Sequence, residues 1–170
     1  LLKYQFEQIF PGCRLLDIHE YLLEKGVKLD GVDGVKYMYH EPCHTPMKTY
    51  QGIKVVNELM GDKVNLSDRC CGEAGTLAVS RPDISTQVRF RKQEELEKGV
   101  AAIRKEDATS QVKVLTSCPA CLQGLSRYDN DTGTTADYIV IEMAKKILGE
   151  QWLVDYVGKA NNGGIERVLL

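Results

Sequence analysis

Two spacings of apolar residues alternate along the chain. Leu15, Ile18, Leu22 and Leu23 recur at helical intervals as far as Lys25, and Gly26 stops the run. Before it, residues 1–12 read as an entry segment with a turn at Pro11-Gly12. Asp30 to Gly34 is turn material. The alternating, β-rich Val35-Lys36-Tyr37-Met38-Tyr39 then predicts a strand. A helix is expected from about Tyr50 to Met60, ending at Gly61, followed by a short strand over Val64 to Leu66. Ile84 to Lys98 predicts a helix, with the charge run from Arg89 to Lys98 as its solvated face. Val112 to Leu115 is the next strand, and the stretch after it reads as the start of a helix. Asp129 to Gly133 reads as a loop and Thr135 to Leu148 as a buried helix. A last short helix carries Trp152, Val154 and Tyr156, and a tail runs on from Asn161-Asn162-Gly163-Gly164. Strands alternating with helices predict an α/β fold of Rossmann-like type, a mostly parallel sheet with flanking helices.

Composition adds limits. The chain has 170 residues, 43% hydrophobic and 27% charged, enough apolar material for a core that needs no metal to form. It is expected to form one domain over residues 1–170, with residues 150–170 a tail helix and extension of it. A formal net charge of -2 argues against a nucleic-acid or anionic-membrane partner. The longest nearly apolar stretch, Tyr138 to Leu148, contains Glu142, Lys145 and Lys146, so no transmembrane segment is expected. The sequence opens on Leu1-Leu2, which suggests a piece of a longer polypeptide.

Candidate chemistry lies in the cysteines. Of six, Cys43, Cys70, Cys71, Cys118 and Cys121 fall in loops after predicted strands, where α/β folds gather functional groups. They are therefore expected to meet at one edge of the sheet. Adjacent cysteines and a C-x-x-C in an otherwise ordinary α/β chain point to metal or redox chemistry in a reducing, cytoplasmic compartment, not to a disulfide scaffold. Cys118-Pro119-Ala120-Cys121 presents two thiols from one turn, and a helix N-terminus there favours thiolate. Neighbouring Cys70 and Cys71 suit a multi-iron cluster better than one tetrahedral ion. Gly72 allows a positive φ or a close approach, and Ala74 and Gly75 leave further room. His40 and His44 flank Cys43; either could bind metal, but with Arg69 they are first read as groups that tune the sulfurs. Cys13 reads as a buried or free thiol and His19 as structural. Dinucleotide, P-loop, covalent-haem and compact ferredoxin motifs do not occur.

Three readings follow from the residues: an iron–sulfur electron-transfer site, a structural zinc site on the same cysteines, or a thiol–disulfide pair at Cys118 and Cys121.

The succession Cys43, Cys70-Cys71-Gly72 and Cys118-Pro119-Ala120-Cys121, with the lead-in His40-Glu41-Pro42-Cys43-His44, resembles the cysteine-rich CCG domain. That family occurs in the CCG-bearing subunit of heterodisulfide reductase and in iron–sulfur subunits of glycolate, lactate and glycerol-3-phosphate oxidising systems. The stretches from Asp137 to Val140 and from Gly163 to Arg167 resemble the end of long bacterial proteins that fuse an FAD-linked oxidase to iron–sulfur modules. The resemblance implies a [4Fe–4S] cluster, non-cubane in some relatives, on all five cysteines, with zinc in other members. It also implies FAD in an upstream flavin domain of the same polypeptide acting on a 2-hydroxy acid, and a separate electron acceptor. The fragment alone would turn over no substrate, and the whole would be cytoplasmic or peripheral at the inner membrane through partners. Two departures stand out: 26 residues separate Cys43 from Cys70 and 46 separate Cys71 from Cys118, shorter and longer than the family's usual gaps. One CCG motif is present where members commonly carry two.

Overall fold

Four strands lie side by side in the order β2-β1-β3-β4: β1 (Val35–His40), β2 (Asn65–Ser67), β3 (Gln111–Thr116) and β4 (Thr134–Tyr138). Every neighbouring pair is parallel, with Met38 opposite Asn65 on one side of β1 and opposite Val114 on the other. The computed structural model describes residues 3–73 and 75–163; Ala74 and the predicted tail beyond Gly163 lie outside them. The expected α/β architecture, a parallel sheet flanked by helices, is what the chain forms.

The pleat sends successive side chains to opposite faces. Tyr37, Tyr39 and Leu115 face one side, where α3 (Gly52–Met60) supplies Val55, Val56, Leu59 and Met60 and α8 (Ile139–Leu148) supplies Ile139 and Met143. Met38, Val112 and Val114 face the other, against Leu96, Val100 and Ile103 of α5 (Pro82–Glu106) and Leu125 of α6 (Pro119–Leu125). The remaining helices are α1 (Lys3–Ile9), α2 (Ile18–Glu24), α4 (Leu77–Ser80), α7 (Asp129–Thr132) and α9 (Trp152–Gly163).

Several elements differ from the sequence reading. Part of the entry segment is helical, with the Phe6 and Phe10 rings 5.0 Å apart at the i,i+4 spacing that supports a helix. Helix α2 starts at Ile18 because Asp17 and Glu20 form a capping box. The stretch read as one helix from Thr135 divides into β4 and α8: Thr134 and Thr135 open an edge strand, and the apolar spacing that suggested a helix belongs to the residues from Ile139 onward. Asp129 to Thr132 is a turn of helix and not a loop. Helix α5 is longer than predicted, and its charge run is not wholly solvated. Lys92 lies on the buried stripe with Ser85, Leu96, Val100 and Ile103. Among the described residues no helix is long and apolar enough to cross a membrane.

Candidate metal centre

Each cysteine segment follows a parallel strand: Cys43 after β1, Cys70-Cys71 after β2, Cys118 and Cys121 after β3. Parallel strands share one direction, so the three loops open at the same end of the sheet. Cys71 and Cys121 are buried with their sulfurs 3.5 Å apart. Cys70 and Cys118 are half-buried and Cys43 is exposed. The electrostatics link neighbouring thiols: Cys43 and Cys71 act on Cys70, Cys121 acts on Cys71, and Cys71 and Cys118 act on Cys121. Cys13 is a free, exposed thiol in the segment before α2.

Protonation within this group is uneven. Burial, with the neighbouring Cys43 and Cys71 thiols, pushes Cys70 up, against donation from the Gly72 N–H at 3.4 Å. Within the Cys71–Cys121 pair the two sulfurs are shifted in opposite directions. The Cys121 contact, helped by the Glu73 N–H, draws Cys71 below the ordinary thiol range, while the same contact and burial raise Cys121 above it. Cys71 is thus predisposed to be the thiolate that a metal needs.

His40 joins this pair. One donor atom from each of His40, Cys71 and Cys121 lies within 4.8 Å of the others, and all three residues are buried. Strand parity accounts for it: His40 points to the same face as Met38, toward α5 and α6, whereas Tyr39 points to α3. His44 is exposed beside Cys43. Arg69 is exposed as well, donating to the Arg91 carbonyl at 3.3 Å. With Cys70, Val88, Arg91 and Glu94 it lines an open cavity of about 590 Å³.

The loop carrying Cys70 and Cys71 fits closely because two side chains are missing. At Gly72 φ is +78°, and a Cβ there would stand 2.8 Å from Arg89 Cγ. At Gly124 of α6 a Cβ would meet Glu73 Cβ at 2.9 Å and Cys71 Cβ at 3.4 Å. Glycine at that position lets α6, and with it Cys121, close on Cys71. Arg127 forms an ion pair with Glu73, and Tyr128 Oη donates to the Cys71 carbonyl at 3.4 Å. Both contacts fasten the loop to the segment after α6. On the other flank, buried Glu20 accepts the Thr49 and Tyr50 N–H groups at 2.6 and 2.9 Å, fixing the chain between Cys43 and α3.

Close enough to feel the Cys71 sulfur lies a buried lysine. Lys92, 0% exposed, donates from Nζ to Ser67 Oγ at 2.6 Å, to the Ser67 carbonyl at 3.2 Å and to Glu95 at 2.8 Å. Burial lowers its pKa, partly offset by Glu95 and by Cys71. The sequence signal for Lys92 was its place four and eight residues before Leu96 and Val100. Its type, in a charge run, concealed it.

The donors suit a thiophilic group: soft sulfur, one imidazole nitrogen, and glycines where a side chain would intrude. His40 Nε2 is also buried without a hydrogen-bond partner among the described residues.

Comparison with known proteins gives partial matches. Residues 126–170 match a family described as a domain of unknown function, DUF3400. A subunit of the fumarate reductase (CoM/CoB) of Methanothermobacter marburgensis is 27% identical over 130 residues, covering 71% of this chain and 24% of the relative. The chain therefore spans about a quarter of that relative's length. No solved structure matches. The chain is similar, loosely, to one subunit of a reductase, and the identity is too low for that protein's activity to be transferred.

Proposed function

We propose that this chain is the iron–sulfur electron-transfer module of an oxidoreductase, with Cys43, Cys70, Cys71, Cys118 and Cys121 as the ligands of a [4Fe–4S] cluster. The carrying observation is that the loops after three parallel strands, which carry the five thiols, open at one end of the sheet, where Cys71 and Cys121 form a buried close pair. Five thiols exceed what one zinc requires, and a multi-iron group can use adjacent cysteines. When bound, the cluster supplies one-electron transfer; the chain holds it, shields it and sets its potential. Lys92 interacts electrostatically with Cys71, and the Gly72 N–H donates to the Cys70 sulfur. Both favour negative charge at the site, and so a reduced cluster.

In this reading residues 1–170 act as one unit with α9 and the tail as its extension. The unit would serve a flavin-dependent 2-hydroxyacid dehydrogenase-type protein, in the cytoplasm or at the inner membrane through partners. FAD would sit in an upstream domain and the electron acceptor elsewhere. The similarity to part of a reductase supports the redox part of this reading.

A second reading is favoured by one observation: His40, Cys71 and Cys121 are close enough to share a single ion, and Cys118 could complete a tetrahedral zinc site. Anaerobic loading followed by iron, sulfide and zinc analysis separates the two. About four irons and four sulfides per chain, lost in Cys71→Ala and kept in Cys13→Ala, are expected for the cluster. One tightly held zinc without sulfide would replace it by the structural site.

A further inference from the structure

Resting on the metal-centre reading above, we propose that His40 is itself a metal ligand, binding through Nε2 beside Cys71 and Cys121. The tautomer of the ring points to this role. His40 Nδ1 lies 3.2 Å from the Ser67 carbonyl. A carbonyl can only accept, so Nδ1 carries the proton, and a neutral ring then presents a bare lone pair at Nε2. Such a nitrogen cannot donate a hydrogen bond to a thiolate. It can accept a thiol proton or bind a metal.

The surroundings hold this state in place. Lys92 Nζ donates to the same Ser67 carbonyl, at 3.2 Å, and to the Ser67 hydroxyl, at 2.6 Å. Ser67 is therefore fixed from two sides. Metal-bound histidines are held in this way, with the far N–H given to a carbonyl or carboxylate that sets the ring's plane and tautomer. His40 is 0% exposed, and its Nε2 is buried with no hydrogen-bond partner among the described residues. With its donor atom within 4.8 Å of those of Cys71 and Cys121, it is already close to a shared-ligand position. A nitrogen donor in place of thiolate also raises the potential of an iron–sulfur centre. The geometry thus gives the site a mixed sulfur–nitrogen donor set.

Pulsed electron paramagnetic resonance on the anaerobically loaded chain, grown with isotope-labelled histidine and poised in a paramagnetic state, tests this without any substitution. The expected result is a strongly coupled histidine nitrogen that changes with the label. It should vanish in His40→Gln and persist in His44→Gln, and His40→Cys should retain iron and sulfide at a lower potential. Bound iron and sulfide with no histidine coupling would overturn ligation by His40 and leave the five-cysteine site standing. If the chain takes zinc without sulfide, cobalt(II) substitution reads the same bond. One paramagnetically shifted, exchangeable imidazole N–H in the parent and none in His40→Gln supports it; no such resonance overturns it. A chain that retains neither metal nor sulfide overturns both readings.

Discussion

Ser67 closes β2 and gives both its hydroxyl and its carbonyl to Lys92, while the same carbonyl faces His40. A buried ammonium is tolerated because every direction it faces offers an oxygen, and the Glu95 carboxylate balances its charge. Burial would raise Glu95, but the Lys92 and Ser67 bonds outweigh it and hold the carboxyl below its ordinary value. Replacing Lys92 by Met keeps the stem but removes its bonds to Ser67 and Glu95 and the charge that balances Glu95. Lys92→Met is expected to cost the metal-free chain about 2 kcal/mol in urea unfolding, and Lys98→Met, on the exposed side of α5, close to nothing. At this scale the placing of the cysteines in loops after strands was legible, because the strands before them are marked by residue type and spacing. Lys92 was not, because a cation's burial depends on oxygens from a strand that ends 25 residues earlier. The Arg127–Glu73 pair was hidden for the same reason, its partners being 54 positions apart.

Among the elements, α8 is bound to the sheet by more than apolar packing. Glu142, buried in its first turn, accepts from Tyr37 Oη on β1 at 2.7 Å and from Lys113 Nζ on β3 at 2.7 Å, linking the two central strands. Burial alone would raise this carboxyl, yet the Lys113 and Tyr37 bonds bring it below its ordinary value. The stability it contributes is therefore fully present above the usual glutamate pKa of about 4.3 and is lost as pH falls through the lower folded value. Glu142→Gln is expected to destabilise by about 3 kcal/mol at neutral pH. It should also remove part of the wild-type loss of stability on acidification, as read from denaturation midpoints across that range. Elements with a clean rhythm, β1, α3 and β3, were legible from the sequence. Strand β4 was missed because it is half-buried, so alternation is faint, and because the helix rhythm of α8 begins where it ends.

For the molecule as a whole, the two apolar layers on the faces of the sheet bury large side chains well beyond the sulfurs. Most of the sheet's stability should therefore survive loss of the metal. Chelation is expected to leave far-ultraviolet circular dichroism nearly unchanged, while hydrogen exchange quickens in residues 69–73 and 117–122. Global unfolding on chelation would instead make the metal part of the fold. The parallel connection of all four strands has a further consequence during synthesis. Cys43 leaves the ribosome long before Cys121, and the intervening chain must lay down α5 and then insert β3 between β1 and the position of β4. No shorter nascent chain can close the buried thiol pair. Loading of a cofactor on the full donor set should therefore wait until Cys121 has left the ribosome, and ribosome-stalled chains ending before residue 118 should capture none.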